Sequence, residues 1–348
     1  MTQVKILNQK EVASILDMKH VVEAVEKAYA YKCEGQAELF PLVCHSFDDG
    51  REEMDIKSGS VDGAGVFGMK LVSAFVGNSE KGLPRLMGTI LIFDRETGVL
   101  RSIMDGGCIT NMRTGAAGAV GCKYLARPES ERLLLVGTGA QGPNLIAATL
   151  EVMENVKEIF VCNPHSESKA EKFCAEAPQL LEKTFFAKYS SEHRQLLQER
   201  AKVSWIPFSD LEAACRRADM ILTATPSRKP LIRKEWIKAG THLSCIGSDM
   251  EGKQEVDEKL VQAARVFCDD RKQVMNVGEC EKAVKAGLVQ PEEITELGDV
   301  ILGKAKGRQS AEEITLFDST GIALQDLMNA SMITDLAEER GLGVTVEL

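Results

Sequence analysis

The chain has 348 residues, of which 44% are hydrophobic and 27% charged, and its formal net charge at pH 7 is −10. That length carries about two domains at ~150 residues each, and the composition is that of a globular protein. The acidic balance disfavours nucleic acid or an anionic membrane as the main partner. No apolar run reaches spanning length and "MTQVKILNQKEV" lacks a signal-type apolar stretch, so a cytoplasmic protein is expected.

The first helical pattern is "MKHVVEAVEKAYAYKCEG", which Gly35 stops. From 39 to 104 short β-like runs follow, among them "VFGMKLVSAFV" and "LMGTILIFD", with "DRETGVL" as a turn; the texture is that of an antiparallel sheet. "ITNMRTGAAGAVGCKYLA" then reads as a helix whose small residues permit close packing.

Beyond 131 strand and helix alternate. Strands are expected at 132–136, 158–162, 202–206, 219–224, 242–246 and 265–268. Helices are expected near 143–153, 166–177, 209–217, 233–238 and 256–264, with room for an extra one in 178–200. After 270 the chain reads as helical again, ending in "GIALQDLMNASMITDLAEERG". Such alternation argues for a Rossmann-type, doubly wound parallel sheet joined to a β-rich α+β domain. The expected division is residues 1–125 with 322–348 for the β-rich domain, and 126–321 for the Rossmann domain. Ten scattered cysteines form no CxxC, and the five histidines are not at ligand spacing to them. They read as free thiols, with neither a metal site nor a disulfide framework.

"LLLVGTGAQG" sets Gly137, Gly139 and Gly142 in G-x-G-x-x-G register between a strand and a helix. The first glycine permits the turn, the second lets backbone approach a pyrophosphate, and the third lets the helix pack closely with its N-terminus toward the anion. The next strand, "EIFVCN", should end in the acid that grips an adenosine ribose, yet it ends in Asn163. Asn163 can still hydrogen-bond a ribose hydroxyl, while His165, Ser166 and Lys169 could meet a 2′-phosphate, so NAD and NADP both stay open.

At the carboxyl end of a later strand, "CIGSDMEGK" places Asp249 and Lys253 where ligands bind in open α/β sheets. A carboxylate partly desolvated there can shuttle a proton; equally, Asp249 can cap a turn. Lys70 stands in an otherwise apolar strand, either binding a carboxylate or snorkelling outward. Arg113, near a helix start amid small residues, suits a carboxylate or phosphate fork, or a helix-surface salt bridge.

Six ordered blocks, "GMKLVSAFVGNSEKGLPRLMGTILIFDRETG", "MDGGCITNMRTGAAG", "VGTGAQG", "IGSDMEGKQEVD", "ELGDVILGKAKGRQS" and "FDSTGIALQDL", together resemble the ornithine cyclodeaminase/mu-crystallin family over nearly the whole chain. The resemblance implies a Rossmann domain, a substrate-binding domain that also builds a homodimer, and NAD(P)-dependent redox chemistry on an α-amino or cyclic imino acid. It matches Lys70 to the substrate-carboxylate lysine and Arg113 to an arginine between substrate and cofactor. Ala140 and Gln141 match the pyrophosphate turn, and Asn163 the ribose position. Thr223, the turn of Ile246, Gly247, Ser248 and Asp249, Lys253 and Ser319 match positions lining the nicotinamide half, with Asp249 as acid–base.

One departure is visible. Many members carry a carboxylate-binding arginine before the Lys70 strand, where Pro41 or a neighbour stands here, and Arg51 or Lys57 are the candidate replacements. The implied reaction removes hydride from the α-carbon while Asp249 takes a proton from the amine. A terminal amine in the substrate would then close a ring and expel ammonia. Amino-acid dehydrogenation, ketimine reduction and a non-enzymatic small-molecule binder are the alternatives.

Overall fold

A computed structural model describes residues 2–47 and 52–348. The chain forms two compact units. The first comprises Met1–Leu16, Glu23–Arg113 and Ile322–Leu348; the second comprises Asp17–Val22 and Thr114–Gly321. The helix Gly107–Leu125 therefore carries the division, which falls earlier than the end of that helix.

The strands of the first unit are β1 (Gln3–Leu7), β2 (Ala37–Leu39), β3 (Val43–Phe47), β4 (Glu52–Val61), β5 (Val66–Phe75), β6 (Leu86–Asp94) and β7 (Leu100–Asp105). β4 to β7 form an antiparallel meander, as the alternating runs require, and β3 pairs with the outer part of β4. β1 was not legible as a strand; it lies parallel to β7 and antiparallel to the C-terminal strand Val344–Glu347. The helix Ala323–Arg340 packs on one face of this sheet, where Gly59 and Gly68 form a facing pair. A Cβ on Gly68 would come within 3.0 Å of Leu327 Cδ2, and one on Gly59 within 3.1 Å of Leu324 Cδ2. These glycines let the first turns of the helix settle close to the strands, and Lys57 and Lys70 lie two residues along on the same face.

The second unit contains β8 (Arg132–Val136), β9 (Glu158–Cys162), β10 (Ser204–Phe208), β11 (Met220–Thr223), β12 (Arg228–Ile232), β13 (His242–Cys245), β14 (Gln254–Val256), β15 (Arg265–Cys268), β16 (Thr295–Glu296) and β17 (Thr315–Asp318). Eight of them make one parallel sheet in the order β10-β9-β8-β11-β13-β17-β15-β16. The order reverses direction at β8, which is the Rossmann switch point. β17 corrects the expectation that the chain after 270 is only helical: "TLFD" is a wholly buried strand slotted between β13 and β15. Four residues between polar stretches are too few for periodicity to reveal.

Two further differences have simple causes. The helix expected over 166–177 runs from Glu167 to Thr184, through Pro178, because its buried stripe Ala170, Cys174, Ala177 and Leu181 continues past the proline. The helix expected over 233–238 is only a 3₁₀ turn, Lys234–Trp236, after β12 has claimed the preceding residues. The extra helix within 178–200 is Ser191–Arg200.

Candidate functional site

The apolar run of β8 is buried and delivers the chain to Gly137, whose φ is +105°. A Cβ there would stand 2.6 Å from the Ala224 carbonyl oxygen, so only glycine makes this turn without strain. A Cβ on Gly142 would stand 2.9 Å from the Phe173 ring, so the third glycine is a packing residue. Gly139 differs: a Cβ would meet nothing beyond the adjoining residues within 4 Å. Its freedom from a side chain serves nothing within the protein, and it opens the backbone to a ligand. Ala140 is exposed beside it, and Gln141 is the N-cap residue of the helix Gly142–Val152. Exposed backbone ahead of a helix N-terminus is an anion cradle, and these residues fit a dinucleotide pyrophosphate.

Asn163, just beyond β9, donates from Nδ2 to Thr138 Oγ1 at 2.7 Å and accepts the His165 N–H at 3.0 Å. It thus ties the ribose corner to the glycine turn. A cleft of about 520 Å³ opens here, lined by the turn, by Asn163 and His165, and by Lys169 and Thr225.

At the carboxyl ends of β11, β13 and β17 the side chains point inward to buried acids. Thr223 Oγ1 donates to Glu255 at 2.6 Å, and the Gly247 N–H donates to the same oxygen at 2.9 Å. Ser248 donates its hydroxyl to Glu279, which also accepts the Glu255 N–H at 2.9 Å. Ser319 donates to Asp269 at 3.3 Å, and Asp269 also takes the Gly321 N–H at 2.7 Å. Burial pushes the carboxyls of Glu255, Glu279 and Asp269 upward, and takes Asp318 to about 7. The hydroxyls of Thr223, Ser248 and Ser319 thus brace these turns against the buried acids.

Asp249 follows the buried residue Ile246 in this braced turn. Its side chain is 50% exposed, not sunk in the strand edge, and its carboxylate accepts from Lys253, whose own exposure is 16%. A half-exposed carboxylate is compatible with the partial desolvation expected of Asp249. The turn-capping alternative has no support, since the carboxylate's partner is a side chain.

In the first unit Lys70 is buried, and its Nζ lies 2.6 Å from Asp326 Oδ2 and 3.4 Å from Thr110 Oγ1. Arg113, also buried, donates from Nε to the other Asp326 oxygen at 3.2 Å and from Nη1 to Gln325 Oε1 at 3.3 Å. Gln325 is fixed in turn by donating to the Tyr29 hydroxyl at 2.6 Å. The snorkelling lysine and the surface salt bridge are both excluded. Burial, helped by the Arg113 charge and opposed by Asp326, pulls Lys70 down to about 7. Burial works against the Asp326 carboxylate, but the Arg113 and Lys70 charges outweigh it and hold that group below its ordinary range.

Pro41 is exposed before β3. Lys57 is the cross-strand partner of Lys70, and its charge acts on both Lys70 and Asp326. Arg51 lies outside the described residues.

A model of the ornithine cyclodeaminase/mu-crystallin family matches residues 2–341. The chain belongs to that family. Solved structures similar over essentially full length include the following three. An archaeal alanine dehydrogenase dimer with bound NAD is 32% identical with a TM-score of 0.88, covering 100% of both chains. The iminosuccinate reductase of Paracoccus denitrificans in complex with NAD+ is 31% identical with a TM-score of 0.87, again covering 100% of both. The Δ1-pyrroline-2-carboxylate reductase of Thermococcus litoralis, in complex with NADH and L-proline, is 27% identical with a TM-score of 0.86, covering 98% of this chain and 100% of that one.

Sequence reasoning missed the acids of this ornithine cyclodeaminase/mu-crystallin family member. Asp326 and Gln325 sit in "ALQDLMNAS", where polar residues fall on the buried face of an amphipathic helix, and that mismatch is the signal available. Glu255 is the middle residue of β14 and Glu279 directly precedes the helix Cys280–Lys285, and neither carries such a mark.

Proposed function

We propose that this protein is an NAD(P)-dependent oxidoreductase that interconverts an L-α-amino acid and its imine, with hydride transfer at the α-carbon. The observation that carries the reading is the buried group of Lys70, Arg113 and Asp326. One carboxylate is shared by two cations, so the cluster holds surplus positive charge in a desolvated place. Such a charge is costly unless an anion joins it, and a substrate carboxylate is the anion that fits. The named relatives act on amino or imino acids, which agrees.

The turn from Gly137 to Gly142 would hold the pyrophosphate, and Asn163 the ribose. The braced segment Ile246–Asp249, with Thr223 and Ser319, would shape the nicotinamide end. The bound dinucleotide supplies or accepts the hydride. Lys70 and Arg113 bind the carboxylate and fix the α-carbon. Asp249, paired with Lys253, takes a proton from the α-ammonium as hydride leaves, giving the iminium, and returns it to the amine in the reductive direction.

The homodimer is also part of the proposal. The face of the β3–β4–β5–β6 sheet opposite Lys70 carries Val43, Phe47, Leu71 and Met87, exposed by 50, 38, 37 and 41%. A second copy of this chain, as in the dimeric archaeal relative, would cover it. Leu71→Glu should then yield monomers in sedimentation experiments.

The deciding test titrates NADH and NADPH, then follows nicotinamide absorbance and ammonia across alanine, proline, aspartate, ornithine and the corresponding imines. Turnover on any of them supports the reading, and ammonia release without net redox change identifies the cyclodeaminase form. Dinucleotide binding with no turnover on the whole panel would leave a non-enzymatic binder.

A further inference from the structure

We infer that the ribose corner of the second unit is built for a 2′-phosphate, so that NADP(H) binds in preference to NAD(H). The inference rests on the proposed dinucleotide site and adds which dinucleotide it selects.

Selection for an unphosphorylated ribose normally comes from a carboxylate at the end of the second strand, which bonds the free hydroxyl and repels a phosphate. Here that position is Asn163, which is uncharged. Its amide is already used, donating to Thr138 Oγ1 at 2.7 Å and accepting the His165 N–H at 3.0 Å. The side chain at this position therefore carries no charge to repel a phosphate dianion.

Lys169 and Lys172 bring positive charge to this corner. His165, Lys169 and Lys172 all line the same cleft of about 520 Å³ as Gly137, Gly139 and Asn163. Lys169 sits in the first turn of the helix Glu167–Thr184, whose N-cap is Ser166, so it stands beside backbone N–H groups that also favour an anion. Among the described residues lining the cleft, Glu176 is the one carboxylate. It lies 3.8 Å from Lys172, with both side chains well exposed, and so holds that lysine weakly. A solvated lysine face is the ordinary explanation of such residues. Here, though, the cations line a cleft in which the glycine turn and the uncharged Asn163 take part.

The test is the ratio of dissociation constants for NADPH and NADH, read by fluorescence titration of the full-length protein at low salt. The nicotinamide-free fragments 2′,5′-ADP and 5′-AMP serve as competitors. NADPH should bind at least about ten-fold more tightly, 2′,5′-ADP should outcompete 5′-AMP, and salt should narrow both gaps. His165→Ala combined with Lys169→Ala, both exposed positions, should bring the ratio to within about three-fold by weakening NADPH. Asn163→Asp should reverse the preference. Equal or tighter binding of NADH, or a ratio unmoved in the double variant, would overturn the inference while leaving the dinucleotide site standing. Failure of both dinucleotides to bind would instead remove the site itself.

Discussion

The ammonium of Lys70 lies 2.6 Å from one oxygen of Asp326, and both side chains are buried. Arg113 claims the second oxygen of the same carboxylate at 3.2 Å. A single anion thus serves two cations, and the surplus is relieved either by a ligand carboxylate or by loss of a proton from Lys70. Burial and the Arg113 charge have already brought Lys70 to about 7.

This fixes the sign of a pH dependence. Only protonated Lys70 attracts a carboxylate, so affinity should be flat below about pH 6 and fall as pH rises through 7, by up to about ten-fold per unit. Pyruvate, which has no titrating amine, is the suitable probe, with its inhibition constant measured across pH. Lys70→Met should bind pyruvate weakly with a flat profile. A steep profile retained in that variant would mean another group is titrating.

Removing the shared anion should be costly. Asp326→Asn leaves two buried cations facing a neutral amide, a change expected to destabilise the fold by about 3–5 kcal/mol. Adding Lys70→Met should restore part of the loss, since one of the stranded charges goes with it. Thermal unfolding of the two single variants and the double variant measures the coupling; strict additivity would show that the pair does not act as a unit.

Asp249→Asn should abolish turnover while leaving dinucleotide affinity nearly intact. Its side chain is half exposed and, among the described residues, pairs with Lys253, so its loss removes a proton acceptor without disturbing the braced turn beneath it. Preserved activity would take Asp249 out of the proton-transfer role.

Asp318 offers a separate stability test in the second unit. Burial raises its carboxyl to about 7, and among the described residues its Oδ1 has no hydrogen-bond partner, while Oδ2 accepts the Cys280 N–H at 2.9 Å. Between its ordinary value of 3.8 and about 7 the folded protein holds a proton that the unfolded chain has lost. Stability from this group therefore declines as pH rises through that window. Asp318→Asn, which mimics the protonated form, should raise the unfolding temperature more at about pH 8 than at about pH 5. An equal shift at both values would contradict the assignment.

What the sequence disclosed and what it hid divide along physical lines. The glycine turn was legible because Gly137 and Gly142 stand where a Cβ would collide, and strand–turn–helix order frames the motif. Lys70 was legible as a charge in an apolar strand. Its partner Asp326 is 256 positions away, and no local pattern connects them. β17 was hidden because a short, wholly buried parallel strand shows no alternation. The bracing acids Glu255 and Glu279 escaped for a related reason: their work is to receive N–H and hydroxyl groups from turns, which composition does not encode.

The three glycines of the turn make different demands, and that difference can be measured. Gly139→Val places a Cβ where nothing beyond the adjoining residues lies within 4 Å, at a residue outside the left-handed φ region. The fold should tolerate it, with an unfolding temperature close to that of the parent. The dinucleotide should not, because the new methyls occupy the volume proposed for the pyrophosphate; an affinity loss of at least about ten-fold is expected. Gly142→Ala puts its Cβ 2.9 Å from the Phe173 ring and should lower the unfolding temperature, with affinity falling only as the helix shifts. Equal effects of the two substitutions on stability and on binding would show that Gly139 is a structural glycine like its neighbours, and the cradle would lose its argument.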